Sequence, residues 1–232
     1  MKKEIPESAF PDPIVREAAQ ALADGSNTQA IKQAADAGLI DYVTPDGETL
    51  LTLAVLMNDP KAVKLLLEHS ANPEVPADKT PLALAARGGA DTIVDLLLAS
   101  GASPDSQIGG QPAVVAAARV GHTKIVQALV RSGANLERSD IAGSTALIAA
   151  ARLQHYELAS GLLSVGASPF AHDTRGRTAA NWALEDDLIP SSPTAKKRDA
   201  LLEAMRAKGY PWPAPSGEEI LAAKAEGKWP PR

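Results

Sequence analysis

The chain has 232 residues, 45% of them hydrophobic but only 3% aromatic, and its 23 Lys and Arg against 28 Asp and Glu leave a net charge of −5. That balance disfavours a phosphate-backbone ligand, which is bound through clustered cations, and the lack of cysteine excludes disulfides, thiolate metal sites and cysteine catalysis. No uncharged apolar run approaches the ~20 residues of a membrane span, and Met1-Lys2-Lys3 has no apolar run behind it. Neither a span nor a signal peptide is therefore expected, and cytoplasm and periplasm both stay open.

Residues 1–11 read as an N-terminal extension. Residues 12–43 predict a pair of helices. Asp12-Pro13 is a cap and first-turn combination, and Ile14, Val15, Ala18, Ala19 and Leu22 follow at helical spacing. Ser26 or Asn27 caps a second helix through Ile31, Ala34 and Ala35, which Gly38 stops.

From residue 44 the chain repeats itself. Gly47-Glu48-Thr49-Leu50-Leu51, Asp78-Lys79-Thr80-Pro81-Leu82, Gly110-Gln111-Pro112-Ala113-Val114, Gly143-Ser144-Thr145-Ala146-Leu147 and Gly176-Arg177-Thr178-Ala179-Ala180 align, with third members spaced by 31, 32, 33 and 33 residues. Each block leads into an Ala-rich helix, a short break and a second apolar helix. The threonine is suited to cap free backbone N–H groups, and Pro81 suits a first helical turn that needs no N–H partner. Pairs such as Ala85-Ala86, Ala117-Ala118 and Ala150-Ala151 let helices approach closely, while Leu65-Leu66-Leu67 and Leu96-Leu97-Leu98 fill the layer between repeats. One such unit cannot bury its own apolar face, so the copies must stack.

The last copy departs from this spacing. Leu158 follows Thr145 by 13 residues, whereas its counterpart Leu201 follows Thr178 by 23. The Pro/Ser-rich stretch between them predicts an inserted loop at about 188–198, facing either solvent or a partner. The tail, 211–232, holds Trp212 and Trp229. Ser216-Gly217-Glu218-Glu219 is a capping box that should open a short helix packed on the last repeat. Its tryptophans either cover the apolar end of the stack or form an aromatic–proline recognition segment.

Thr80-Pro81-Leu82-Ala83-Leu84-Ala85-Ala86-Arg87 resembles the T-P-L-H-x-A motif of ankyrin repeats, and Gly121-His122-Thr123-Lys124-Ile125-Val126 resembles their second helix. The resemblance covers about residues 44–210. It implies an all-α ankyrin-repeat solenoid of helix-turn-helix pairs with short β-hairpin loops, forming a single elongated domain. It has five repeats at 44–210 and a capping repeat at 12–43. The motif's histidine is replaced in every copy, by Thr52, Ala83, Val115, Ile148 and Asn181, so the tie it makes in the family gives way to apolar packing.

Catalytic chemistry finds no footing. His122 and His155 occupy equivalent repeat positions where the family itself has histidine, and no His69 or His172 pairing has metal-ligand spacing. Asp186-Asp187 and Glu218-Glu219 are adjacent carboxylates, and neighbours on a helix do not face each other. Gly109-Gly110 reads as a hairpin turn. A non-catalytic chain without cofactor or metal is expected, working as a monomer that binds another protein and no nucleic acid.

The family binds partners on a concave side made of hairpin tips and first helices. That resemblance places Lys79, Ile108, Gln111, Ile141, Ser144, Arg175 and Arg177 on the hairpins, and Arg87, Arg119, Val120, Arg152 and Leu153 on the helices. Arg87, Arg119 and Arg152 are equivalent and predict a ladder of guanidinium groups fit to pair with carboxylates. A scaffold is the first reading. A bacterial inhibitor or immunity protein that neutralises a secreted toxin, and a regulatory subunit docked on an enzyme, are the alternatives.

Overall fold

The structure, a computed structural model, describes residues 8–25, 28–185, 189–190 and 192–231. The helices gather into two compact units, residues 1–113 and 114–232.

The first unit contains α1 (Pro13–Asp24), α2 (Thr28–Asp36), α3 (Leu50–Leu56), α4 (Pro60–Glu68), α5 (Pro81–Gly88) and α6 (Asp91–Ala99). A small hairpin, β1 (Gln107–Ile108) with β2 (Gln111–Pro112), ends it. Consecutive helices pack in pairs, α1 with α2, α3 with α4 and α5 with α6, and α3 touches both α1 and α5 while α4 meets α6. Asp12 Oδ1 caps α1 by accepting from the N–H groups of Ile14 (2.9 Å) and Val15 (3.1 Å). The expected caps Ser26 and Asn27 lie outside the described residues.

Threonine at the start of the first helix behaves differently from copy to copy. Thr49 makes a reciprocal box: its Oγ1 accepts from Thr52 N–H (3.1 Å), and Thr52 Oγ1 accepts from Thr49 N–H (2.7 Å). Thr80 does not cap at all. Its hydroxyl donates to Gln107 O, 3.1 Å away, and its N–H reaches the same oxygen at 3.2 Å. Pro81 at the first helical position has already removed one of the donors that a cap would serve.

The second unit contains most of α7 (Ala113–Val120), then α8 (Thr123–Arg131), α9 (Ala146–Arg152), α10 (Tyr156–Ser164), α11 (Ala179–Glu185), α12 (Pro193–Ala207) and α13 (Gly217–Ala225). Here α9 packs on α11 and α10 on α12. Residues 193–198, expected within an inserted loop, are the opening turns of α12. Ser192 Oγ accepts from Ala195 N–H at 3.1 Å and Pro193 occupies the first turn, so the Pro/Ser cluster starts a helix that runs for 15 residues.

Alanine sets how closely the first helices meet. Leu82 to Ala86, Ala113 to Ala118 and Ala146 to Ala151 are buried without a break. The residues replacing the motif histidine divide by place: Ala83, Val115 and Ile148 are buried apolar, while Thr52 and Asn181, in the outer copies, make capping bonds. Burying a leucine or isoleucine side chain contributes about 2 kcal/mol. An exposed pair such as Lys64–Glu68, 3.8 Å apart, contributes about 0.5 kcal/mol or less. Apolar burial therefore carries the stack.

Carboxylates stitch successive repeats through the turn after the second helix. Asn72 N–H donates to Asp41 Oδ1 (2.7 Å), Ser103 N–H to Glu74 Oε1 (2.8 Å) and Ser168 N–H to Glu137 Oε1 (2.8 Å). A second close approach involves Gly121, at φ +82°: a methyl group added there would lie 2.7 Å from His155 Cε1. Gly133 has nearly the same backbone, φ +89°, with open space around it. Gly133→Ala should therefore lose only the left-handed strain of about 1–2 kcal/mol. Gly121→Ala should lose at least about 1 kcal/mol more, because the ring must also move. Urea unfolding of the two variants measures the difference, and equal losses would show that the His155 contact carries no weight.

Candidate functional site

Because α5, α7 and α9 are buried up to their last residues, their side chains reach solvent only at the helix ends. In the first unit the ends are Leu56 and Met57 of the α3 turn, and Arg87 and Gly88 of α5, all exposed. Leu56, Asn58, Leu84, Arg87 and Gly88 line a cavity of about 210 Å³ between these helices. The expected hairpin contacts here are largely occupied. Lys79 forms an ion pair with Glu48 of the preceding hairpin. Ile108 pairs with Gln111 across β1 and β2 and bridges to Lys79, which leaves Ile108 and Gln111 half-buried.

In the second unit α7 ends in Arg119 and Val120, and α9 in Arg152 and Leu153. The turns after these helices lie against each other, with the His155 ring beside Gly121. Val120 is 51% exposed and Leu153 43%. Arg119 is exposed, and among the described residues it has no ion-pair partner. At the hairpin tip Ile141 is 88% exposed, and Thr174 N–H donates to Ala142 O (2.9 Å), so Arg175 of the next tip lies beside it, also exposed.

Two expected contacts are corrected. Ser144 is fully buried: the Gly143 turn packs so closely that a methyl group there would lie 2.9 Å from Thr174 N, and Ser144 N–H is held by Asp140 Oδ1 at 2.9 Å. Arg177 is drawn inward. Its guanidinium lies 3.5 Å from the centre of the Trp182 ring, its Nε is 3.4 Å from Asp173 Oδ2, and its Nη1 is 3.6 Å from Glu185 Oε2.

Trp182 was not among the sequence candidates. It stands where the other copies have Leu53, Leu84, Ala116 and Ala149, so an oversized aromatic at one register position was the available signal. Its indole N–H donates to Asp173 Oδ2 (3.3 Å), and Arg152 approaches the same ring at 5.5 Å. Asp173 is buried and also accepts from the N–H groups of Arg175 (2.8 Å) and Arg177 (3.0 Å), so a single carboxylate fixes both the hairpin and the ring. Two guanidinium groups meeting one tryptophan contribute about 0.5–1 kcal/mol each at a partly exposed site. Leu184, 46% exposed, completes the patch. The remaining helix-end position, Asp186, lies outside the described residues.

The C-terminal end is closed differently. Phe170 occupies the position at which Glu74 and Glu137 reach the following repeat. Phe170, Tyr210 and Trp229 form a cluster with ring centres 6.0–6.2 Å apart, and the Trp229 indole N–H donates to Phe170 O at 3.1 Å. Asn181 Nδ2 donates to Pro215 O (2.7 Å), and α13 starts so close to the last hairpin that a methyl group on Gly176 would overlap Gly217 O. Trp212 does not join this closure. It is 45% exposed, with the Arg206 guanidinium 3.7 Å from its ring centre.

Among the described residues no group of three or more His, Asp or Glu could hold a metal ion, and no helix is long and apolar enough to cross a membrane. The family model described as ankyrin repeats (3 copies) matches residues 16–108 and 105–173. No curated protein matches the chain.

The Tyr210 hydroxyl lies 2.6 Å from Thr178 Oγ1 in a buried site. Burial pushes the phenol above its ordinary pKa, and the Thr178 hydrogen bond only partly opposes this. The unfolded chain then ionises first as pH rises, so stability is whole below pH about 10 and falls as pH climbs from there through the raised folded-state value. Tyr210→Phe should cost about 1 kcal/mol at neutral pH, and its deficit against the parent should shrink above pH about 10. Urea midpoints across that range test this, and a constant deficit would exclude Tyr210 as the titrating group.

Proposed function

Since the chain belongs to the ankyrin-repeat family, whose repeats are generally protein–protein interaction modules, we propose that it is a monomeric, non-catalytic binding protein. In each unit the contacts lie at the hairpin tips and the C-terminal ends of the first helices. One observation carries this reading. Helices otherwise buried end repeatedly in an arginine followed by an exposed position: Arg87-Gly88, Arg119-Val120 and Arg152-Leu153. Exposed apolar side chains beside arginine have the composition of an interface centre, where a few anchors supply most of the binding energy. In the second unit the contact residues are Arg119, Val120, Arg152 and Leu153, with Ile141 and Arg175 at the hairpin tips. In the first unit they are Arg87 and, half-buried on the hairpins, Lys79, Ile108 and Gln111.

Capture of partners by the parent chain and by an Arg119→Glu/Arg152→Glu variant, quantified by mass spectrometry, tests the surface. A genuine partner should be retained by the parent and lose more than tenfold in affinity with the variant, or about 1.4 kcal/mol. A partner bound equally by both would remove this face from consideration. Assaying the captured partner's own activity with and without the chain then separates an inhibitor from a scaffold or a docked regulator.

A further inference from the structure

The charge of this chain is unevenly placed. Residues 1–113 hold 8 Lys and Arg against 16 Asp and Glu, whereas residues 114–232 hold 15 against 12. A chain that is acidic as a whole therefore has a basic second unit. Within that unit, carboxylates are absorbed locally: Asp173 is buried by its own hairpin, Glu137 holds Ser168, and Glu157 pairs with Lys197 at 3.1 Å. Arg177 is the arginine that Asp173 and Glu185 neutralise. Arg119, Arg152 and Arg175 have no ion-pair partner among the described residues.

Trp182 gives this surface a fixed element. Its ring is anchored through the indole N–H to Asp173 and covered by Arg177. Arg152 also approaches this ring, its guanidinium carbon 5.5 Å from the ring centre, and has no ion-pair partner among the described residues; a guanidinium group is suited to a planar acceptor. A side chain already held in place loses less entropy when a ligand binds. We propose that Trp182, with Arg119, Arg152 and Arg175, receives an acidic segment of a partner protein. In this arrangement carboxylates of the segment pair with the guanidinium groups, and one apolar side chain of it packs on Leu153 and Leu184. The proposal rests on the interaction reading above and deepens it by naming the partner's chemistry. Charge complementarity supports it: the three arginines have no ion-pair partner among the described residues, Arg152 is followed by the exposed Leu153, the exposed Leu184 shares α11 with Trp182, and paired guanidinium–carboxylate contacts match in shape as well as sign.

Selection of a displayed library of random 12-residue peptides on the full chain tests the inference. The enriched peptides are then measured by fluorescence anisotropy against the parent, Arg119→Gln/Arg152→Gln and Trp182→Phe. The enriched set should be rich in Asp and Glu around one large apolar residue. Its affinity should drop at least tenfold in the arginine variant and several-fold in Trp182→Phe, and should weaken steeply with salt, while thermal unfolding shows that each variant still folds. Neutral or basic peptides that depend on Arg119 and Arg152 would overturn the acidic assignment and leave the interaction reading standing. Acidic peptides indifferent to both variants, or no enrichment at all, would overturn it as well. A single-stranded oligonucleotide bound more tightly than the peptides in an Arg119- and Arg152-dependent way would replace the protein segment with nucleic acid.

Discussion

The constraint on which the rest depends is the closeness of the first helices. Ala85, Ala86, Ala117, Ala118, Ala150 and Ala151 are all but inaccessible to solvent, and larger side chains there would force neighbouring helices apart at a cost of about 1–3 kcal/mol per overpacked site. In α5, α7 and α9 this leaves no exposed side chain along the body of the helix, so variation there is confined to the helix ends and the hairpins, the positions of Val120, Leu153 and the tip residue Ile141. In α11 the half-buried Trp182 departs from that pattern.

The same closeness explains why small polar details differ among copies that share one backbone. Thr49 caps its helix, Thr80 bonds to the next hairpin, and Thr178 meets a tyrosine from the tail. A hydroxyl has one proton and two lone pairs, so its use is decided by whichever backbone group the neighbouring repeat brings within reach.

The repeat was legible in the sequence because five copies report one pattern, and each constrains the reading of the others. The helix starts at Asp12 and Ser216 and the hairpin turn at Gly109-Gly110 were legible for local reasons, since capping and turn geometry involve residues only a few positions apart. What escaped depends on distant partners. Ser144 reads as an exposed tip residue until the backbone at Thr174 is seen against Gly143. Arg177 reads as a free cation until Asp173, Trp182 and Glu185 converge on it. Trp182 broke the repeat pattern openly, yet nothing in its neighbourhood of the sequence says that Arg152 would come to meet it. The opening of α12 was misread because Pro and Ser signal both a loop and a helix start, and only the three residues after Ser192 distinguish them.

The exchange of a carboxylate for Phe170 has a consequence for how such a chain changes over generations. Where Glu74 and Glu137 stand, the turn is ready to accept another repeat; where Phe170 stands, it is ready for Tyr210 and Trp229. The instruction to stop is thus carried by the last copy and the tail together, independently of how many copies precede them. Whole units of about 33 residues could be duplicated or deleted upstream without disturbing the closure, so the number of copies is free to drift while the packing of Phe170, Tyr210 and Trp229 stays the same.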